Sequence, residues 1–218
     1  MFNMNALTEM LARFFVLFSA ITVHEYAHGF VSYKLGDPTA KYSGRLTFNP
    51  ISHLDPIGAV CMTLFGFGWA KPVPINPMYY RNRKRDTAIV SLAGPVANVT
   101  LAFLSTILFS LYICFLAPHI WLPVSSFLTE IFIQLAVVNI SFAVFNLIPF
   151  PPLDGSKILG ALLPHDKYMY LLQYERFGFP ILVILSVTGL LGKVLSVFIN
   201  PLYGMWLSLL NGLISLFS

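Results

Sequence analysis

The stretch AITVHEYAHGFVSY, residues 20–33, sets two histidines and a glutamate inside an apolar run. Phe14–Tyr33 is long enough, at roughly 20 residues, to cross a hydrocarbon core of about 30 Å as a helix. His24 lies ten residues in, roughly 15 Å along that helix and near mid-bilayer. Ionisable groups at such depth are costly, so they mark function by default.

The rest of the chain agrees with a membrane setting. Of its 218 residues, 57% are hydrophobic and only 10% charged, and the mean hydropathy is +0.76. A soluble domain of this length needs more charged surface. The first apolar run meets the histidines with no small-residue cleavage site, so it reads as a retained span rather than a leader. Ala88–Ala117 and Ile131–Pro149 carry no formal charge and give two further spans. Phe177–Leu191 and Val194–Phe217 give a fourth and a fifth, with Asn200-Pro201 inside the last.

The expectation is therefore an all-α polytopic membrane protein of about five to six transmembrane helices, forming a single domain over residues 1–218. Its core spans are 14–33, 88–117 and 131–149, followed by C-terminal spans 177–191 and 194–217. Residues 34–86 differ in character, being rich in Pro, Gly, Asn and Thr. KYSGRLTF and AKPVPI look like strands of a small β-hairpin. Ile57–Ala70 is too short to span and reads as a re-entrant or interfacial piece.

The net charge of +4 does not point to nucleic acid, because the basic residues lie in loops between apolar runs. Eight of the thirteen Lys and Arg fall between Lys34 and Arg85, and three more are Lys157, Lys167 and Arg176. Residues 117–130 have none. The positive-inside rule then places 34–86 and 151–176 in the cytosol and the N-terminus outside, in a multi-pass cell-membrane protein. The run Arg81–Arg85 reads as an anchor at the anionic inner leaflet. Cys61 and Cys114 have no metal or disulfide spacing and read as small buried hydrophobes.

His24 and His28 are one helical turn apart and share a face, so both can address one ion. Glu25 is rotated about 100° from His24, near enough to reach a water beside that ion without being a ligand. This is the H-E-x-x-H spacing of zinc hydrolases, with two imidazole ligands and a glutamate as general base. Zn²⁺ lowers the pKa of a bound water toward about 7. The competing class is a metal or proton permease using the same residues, although the second and third spans offer few polar residues for a pathway.

Catalytic zinc has three protein ligands and one open position. In NLIPFPPLDGSKILG, Asp154 follows an uncharged span, and prolines 149, 151 and 152 stop the helix before it. By spacing alone, Asp154 is equally a third ligand or the N-cap of a short helix from Ser156. Asn98 in GPVAN and Asn146 on the last turn of the third span have two readings each. Either amide can donate to a substrate carbonyl or developing oxyanion, a contribution often worth ~3–4 kcal/mol, or join helices. His53 and Asp55 read as a pair supporting the site or as the fixing of a turn.

Three motifs stand in order: His24-Glu25-Tyr26-Ala27-His28, Gly94-Pro95-Val96-Ala97-Asn98, and Asn146 through Asp154-Gly155. They resemble the site-2 protease family of intramembrane zinc metalloproteases. GDPTAKYSGRLTFNPISHLDPIG and GWAKPVPINP are similar to its short bacterial and archaeal members, and the likeness covers about residues 14–160. The resemblance implies His24, His28 and Asp154 as zinc ligands, Glu25 as general base, and Asn98 and Asn146 near the substrate. It also implies cleavage of a transmembrane protein substrate in or near the lipid bilayer, in a short form without PDZ-like or nucleotide-sensing domains. A relative that binds membrane helices without cutting them is disfavoured because Glu25 is present.

Overall fold

A computed structural model describes residues 4–58 and 69–217 of the chain. Most of the re-entrant piece expected over Ile57–Ala70 lies outside the described residues, as does Cys61. The elements are α1 (Met4–Lys34), α2 (Thr39–Tyr42), α3 (Arg83–Leu111), α4 (Leu122–Leu147), α5 (Asp154–Leu162), α6 (His165–Val187) and α7 (Leu190–Phe217). Single 3₁₀ turns sit at Pro50–His53 and Pro77–Tyr79. Four described helices are long and apolar enough to cross a membrane: Ala12–Lys34, Arg83–His119, Leu122–Leu147 and Leu190–Phe217.

The expectation was five to six spans, and the fourth of them, Phe177–Leu191, is not among these helices. The physical reason is local. The first half of α6 carries Lys167, Glu175 and Arg176, and its apolar remainder from Phe177 runs only to Val187. Gly189, at φ +71, then turns the chain in a conformation that disfavours side chains. The last span begins beyond that break and runs unbroken through Pro201.

The β-hairpin expected over 34–86 is likewise not formed among the described residues. Thr39–Tyr42 is helical, residues 46–48 are bends, and the pairing reduces to one antiparallel bridge, Leu54 with Ala70, plus a Lys71 N–H donated to the His53 carbonyl at 3.0 Å. Residues 71–76 lie beside α1, in no regular secondary structure and without a sheet partner. Arg45 holds them, its guanidinium donating to the carbonyls of Lys71 at 2.6 Å and Pro72 at 3.2 Å.

The end of α1 fixes where that segment lies. Gly36, at φ +103, allows the Asp37 N–H to reach the Ser32 carbonyl and its own N–H to reach Tyr33, the six-to-one and five-to-two bonds of a Schellman stop. The buried Asp37 carboxylate then accepts from Ser32 Oγ at 2.8 Å, from the Thr39 N–H at 3.0 Å and from the Asn76 N–H at 2.8 Å. Ser32 Oγ also meets the Tyr80 hydroxyl at 2.6 Å. Burial alone would raise the Asp37 pKa, but the bonds from Thr39, Asn76 and Ser32 outweigh it and hold the carboxyl below its usual range. Burial pushes the Tyr80 hydroxyl up to about 12, so it remains a neutral partner.

Helices α1, α3 and α4 form the core of the bundle. At its far end from Lys34, α7 joins through a cluster of Phe109, Tyr112, Ala136, Trp206 and Leu210, with Trp206 Nε1 donating to Thr106 Oγ1 at 2.7 Å. The outward faces stay apolar and exposed, as at Val96, Val99 and Phe103 on α3, which suits lipid rather than water. The chain is a membrane protein by these helices.

Candidate metal centre

The site is built where α1 crosses α3. Residues 20, 24 and 28 form one stripe on α1, and 90, 94 and 98 form one on α3, each at four-residue spacing. Gly94 stands between the two histidine rings. A Cβ there would lie 2.5 Å from His28 Nε2 and 2.6 Å from His24 Nε2, so only glycine permits this approach. On either side of it, α3 supplies a hydrogen-bond acceptor. His28 Nδ1 donates to the Val90 carbonyl at 2.7 Å, and His24 Nδ1 donates to Asn98 Oδ1 at 2.6 Å.

Asp154 arrives from the far side of the bundle. Proline at 149, 151 and 152 ends α4 and carries the chain back, and α5 begins at Asp154 itself. Its N-cap is Leu153, with no side-chain cap bond, so the carboxylate is not spent on capping. Gly155 packs against the end of α4, where a Cβ would stand 2.2 Å from the Leu147 carbonyl oxygen. Asp154 Oδ2 thereby lies 3.1 Å from His24 Nε2 and 3.0 Å from His28 Nε2, and the two Nε2 atoms are 3.0 Å apart. All three side chains are buried.

The donor chemistry of this group tests whether a metal fits. Both Nδ1 atoms face carbonyl oxygens, so both carry the proton, and each Nε2 presents a lone pair. Asp154 adds an anionic oxygen. Three acceptors within about 3 Å of one another repel unless a cation stands among them. Two imidazoles and a carboxylate form a recognised three-ligand set for catalytic zinc, so the residues fit the group. His24, His28 and Asp154 also satisfy the general geometry of a metal-holding cluster.

Glu25 stands beside this group and outside it. It is half-buried, and Oε2 accepts the Val73 N–H at 2.9 Å. The two line a cleft of about 150 Å³ together with His24, His28, Asn146 and Asp154. Asn146 spends one amide proton on the Phe142 carbonyl at 3.0 Å, which leaves the other for a ligand. Asn98 is placed differently. It is fully buried, absent from the cleft lining, and its amide donates both to Ala20 O at 3.1 Å and to Asn139 Oδ1 at 2.7 Å. Both amide protons of Asn98 thus have partners within the bundle, and its Oδ1 faces His24.

His53 and Asp55 are not brought to the cleft. His53 Nε2 bonds to the Thr47 carbonyl at 2.9 Å, and Asp55 Oδ1 accepts from the Gly58 N–H at 2.8 Å, both holding turns. Two residues not singled out in the sequence bear on the site, one in the cleft and one behind it. Lys157 lines the cleft with its Nζ 3.8 Å from Asp154 Oδ1, three residues along α5. Asn139 lies fully buried behind Asn98. Its signal was its cost: it is a second asparagine in an uncharged span, seven residues before Asn146 and so on nearly the same face.

Membrane helices around a two-histidine, one-carboxylate centre define a membrane metallohydrolase, and comparison with known proteins names the family. Residues 122–187 match the model of Peptidase family M50. A Bacillus subtilis protein printed as "Putative zinc metalloprotease YwhC" is 40% identical over 184 residues, covering 84% of each chain. A Mycolicibacterium smegmatis protein printed as "Putative zinc metalloprotease Rip2" is 31% identical over 185 residues, covering 80% of this chain and 66% of the relative. No solved structure matches the chain. The chain belongs to peptidase family M50, and it is a metallopeptidase with zinc as its cofactor.

Proposed function

We propose that this protein is an intramembrane endopeptidase that hydrolyses peptide bonds in or near transmembrane helices of membrane proteins. His24, His28 and Asp154 hold zinc, Glu25 is the general base, and Asn146 steadies the oxyanion. The observation that carries the reading is the convergence of three lone-pair donors over a small cleft, with a glutamate beside them, inside helices of membrane length. A buried site of this kind suits a substrate that is buried too.

Zinc, when bound, supplies Lewis acidity that makes water acidic near pH 7 and polarises a carbonyl. The chain's own residues supply the rest. The Val73 N–H occupies one Glu25 oxygen and leaves the other to take a proton from water in the cleft and return it to the leaving amine. Asn146 offers its free amide proton to the carbonyl oxygen as charge develops there. A helical peptide bond is shielded by its own hydrogen bonds, so substrate must be presented unwound. Two segments are candidates to hold it by strand addition, Val73–Ile75, of which Val73 and Ile75 line the cleft, and Leu46–Phe48, which is bent; the first is the better placed.

The cleft opens toward the cytosol in this reading. His28 lies six residues, roughly 9 Å, from Lys34 at the end of α1, and Gly94 lies eleven residues, roughly 16 Å, from Arg83. Those basic ends belong on the inner face by the positive-inside rule, which puts the N-terminus outside.

The test uses purified Glu25→Gln in detergent or bilayers, with zinc content and cleavage of a transmembrane-helix substrate read together. Zinc retained near one per chain with cleavage lowered by ~10²–10⁴-fold supports the reading. Cleavage at the wild-type rate would refute it. Zinc lost from Glu25→Gln would make the glutamate a ligand and favour a transport site.

A further inference from the structure

We propose that Asn139, which touches neither the metal group nor the cleft, sets which nitrogen of His24 carries its proton, acting through Asn98. The inference rests on the reading of His24 as a metal ligand.

The hydrogen-bond chain runs in one direction because both its ends are fixed. Asn139 Nδ2 donates to the Leu135 carbonyl at 2.7 Å, so Asn139 Oδ1 faces Asn98. Asn98 Nδ2 then has two acceptors before it, Asn139 Oδ1 at 2.7 Å and the Ala20 carbonyl at 3.1 Å. Its amide is thereby turned so that Oδ1 faces His24 Nδ1 at 2.6 Å. An acceptor at that place requires Nδ1–H and leaves the Nε2 lone pair for the metal.

The reverse orientation shows what the chain prevents. Turning the Asn98 amide over would aim N–H at Nδ1, move the histidine proton to Nε2, and set it where the cation belongs. Both asparagines are fully buried, so water does not replace a lost partner. With Asn139 gone, only the Ala20 carbonyl opposes the turn. His28 has no comparable weakness, because its Nδ1 meets a backbone carbonyl that cannot turn over. The two histidines should therefore respond differently to change in the bundle core.

Asn139 is a positioning residue on this account, and the test reads zinc affinity by chelator competition on the full chain, with cleavage not required. Asn139→Leu should bind zinc about 10–100-fold more weakly, the usual loss when a ligand's outer hydrogen-bond partner is removed. Asn139→Asp should stay close to wild type. Its neutral acid form has an O–H to replace the bond to Leu135 and a carbonyl oxygen to replace the bond from Asn98. Cobalt(II) spectra should change for the leucine variant and not for the aspartate one. Should the leucine variant fail to fold, Asn139→Ala against Asn139→Asp carries the same contrast.

Unchanged zinc affinity in the leucine or alanine variant would overturn the proposal. So would equal losses in the aspartate variant, which would make residue 139 a packing position. A wild type that binds zinc but cuts no membrane helix would remove the proposed function and leave this relay standing.

Discussion

Replacing Gly94 by alanine puts one methyl group between the two histidine rings. The added Cβ would lie 2.5 Å from His28 Nε2 and 2.6 Å from both Cε1 and Nε2 of His24, where ordinary contact starts at 3.4 Å. The rings must retreat by roughly 1 Å to restore that contact. They cannot simply rotate away, because their Nδ1 atoms are tied to Val90 and Asn98 on the same helix as Gly94. Relief therefore separates α1 from α3, at about 1–3 kcal/mol for overpacking of this kind. Against a zinc–nitrogen bond of about 2.0–2.1 Å, a 1 Å displacement removes a ligand. Zinc affinity should fall by more than the ~100-fold that bounds the loss of an outer hydrogen-bond partner. Chelator competition reads the affinity, a thermal melt of the zinc-free protein reads the packing cost, and Gly212→Ala on α7, with nothing within 4 Å, is the control. Zinc affinity within tenfold of wild type in folded Gly94→Ala would refute the close approach.

Gly155→Ala should weaken zinc by a separate route, since its Cβ would meet the Leu147 carbonyl at 2.2 Å and push the start of α5, with Asp154, off the group; unchanged affinity would remove that account. Chelation should lower the melting temperature and re-addition restore it, because a ligand at 100 times its Kd stabilises the folded chain by about 2.7 kcal/mol. Asp37→Asn should cost about 1.5–3 kcal/mol near neutral pH, the worth of a hydrogen bond to a charged group. The folded-state pKa of Asp37 is lowered, so its contribution is present above the ordinary carboxylate range and lost as pH falls through the folded value. Melts from pH 8 to 3 should thus show a flatter acid limb in Asp37→Asn, and parallel curves would count against the clasp.

What the sequence made legible was what repeats locally. His24, Glu25 and His28 could be placed because a helix converts spacing of one and four residues into faces without reference to the rest of the chain. Asp154 could not, because its meaning depends on packing 126 residues away from His28, and only family resemblance chose ligand over cap. Asn98 was found without its partners: that its donors face Ala20 and Asn139 is a fact about three helices at once. The hairpin failed for another reason. KYSGRLTF has strand-forming residues, but the Gly36 stop on α1 and the demands of Asp37 fold Thr39–Tyr42 as a helical turn. The fourth expected span is not among the described helices of membrane length because charges in α6 shorten its apolar run.

The arrangement explains how so polar a centre is tolerated at membrane depth. Each imidazole takes one partner from α3 and turns its other nitrogen to the metal group, so the histidines present no unpaired donor to lipid. The opposite face of α3 is apolar and exposed at Leu92, Val96, Val99 and Phe103, which keeps polarity on one stripe. The donors themselves are far apart in sequence, 130 residues between His24 and Asp154, and meet only once α1, α3, α4 and α5 have packed. In the proposed site that packing works against three converging lone pairs, and a cation held among them would join the first helix to the fifth. With zinc held by these three residues, as proposed, its binding and closure of the bundle would be one equilibrium, and substitutions that loosen either, at Gly94, Gly155 or Asn139, should appear first as weakened zinc.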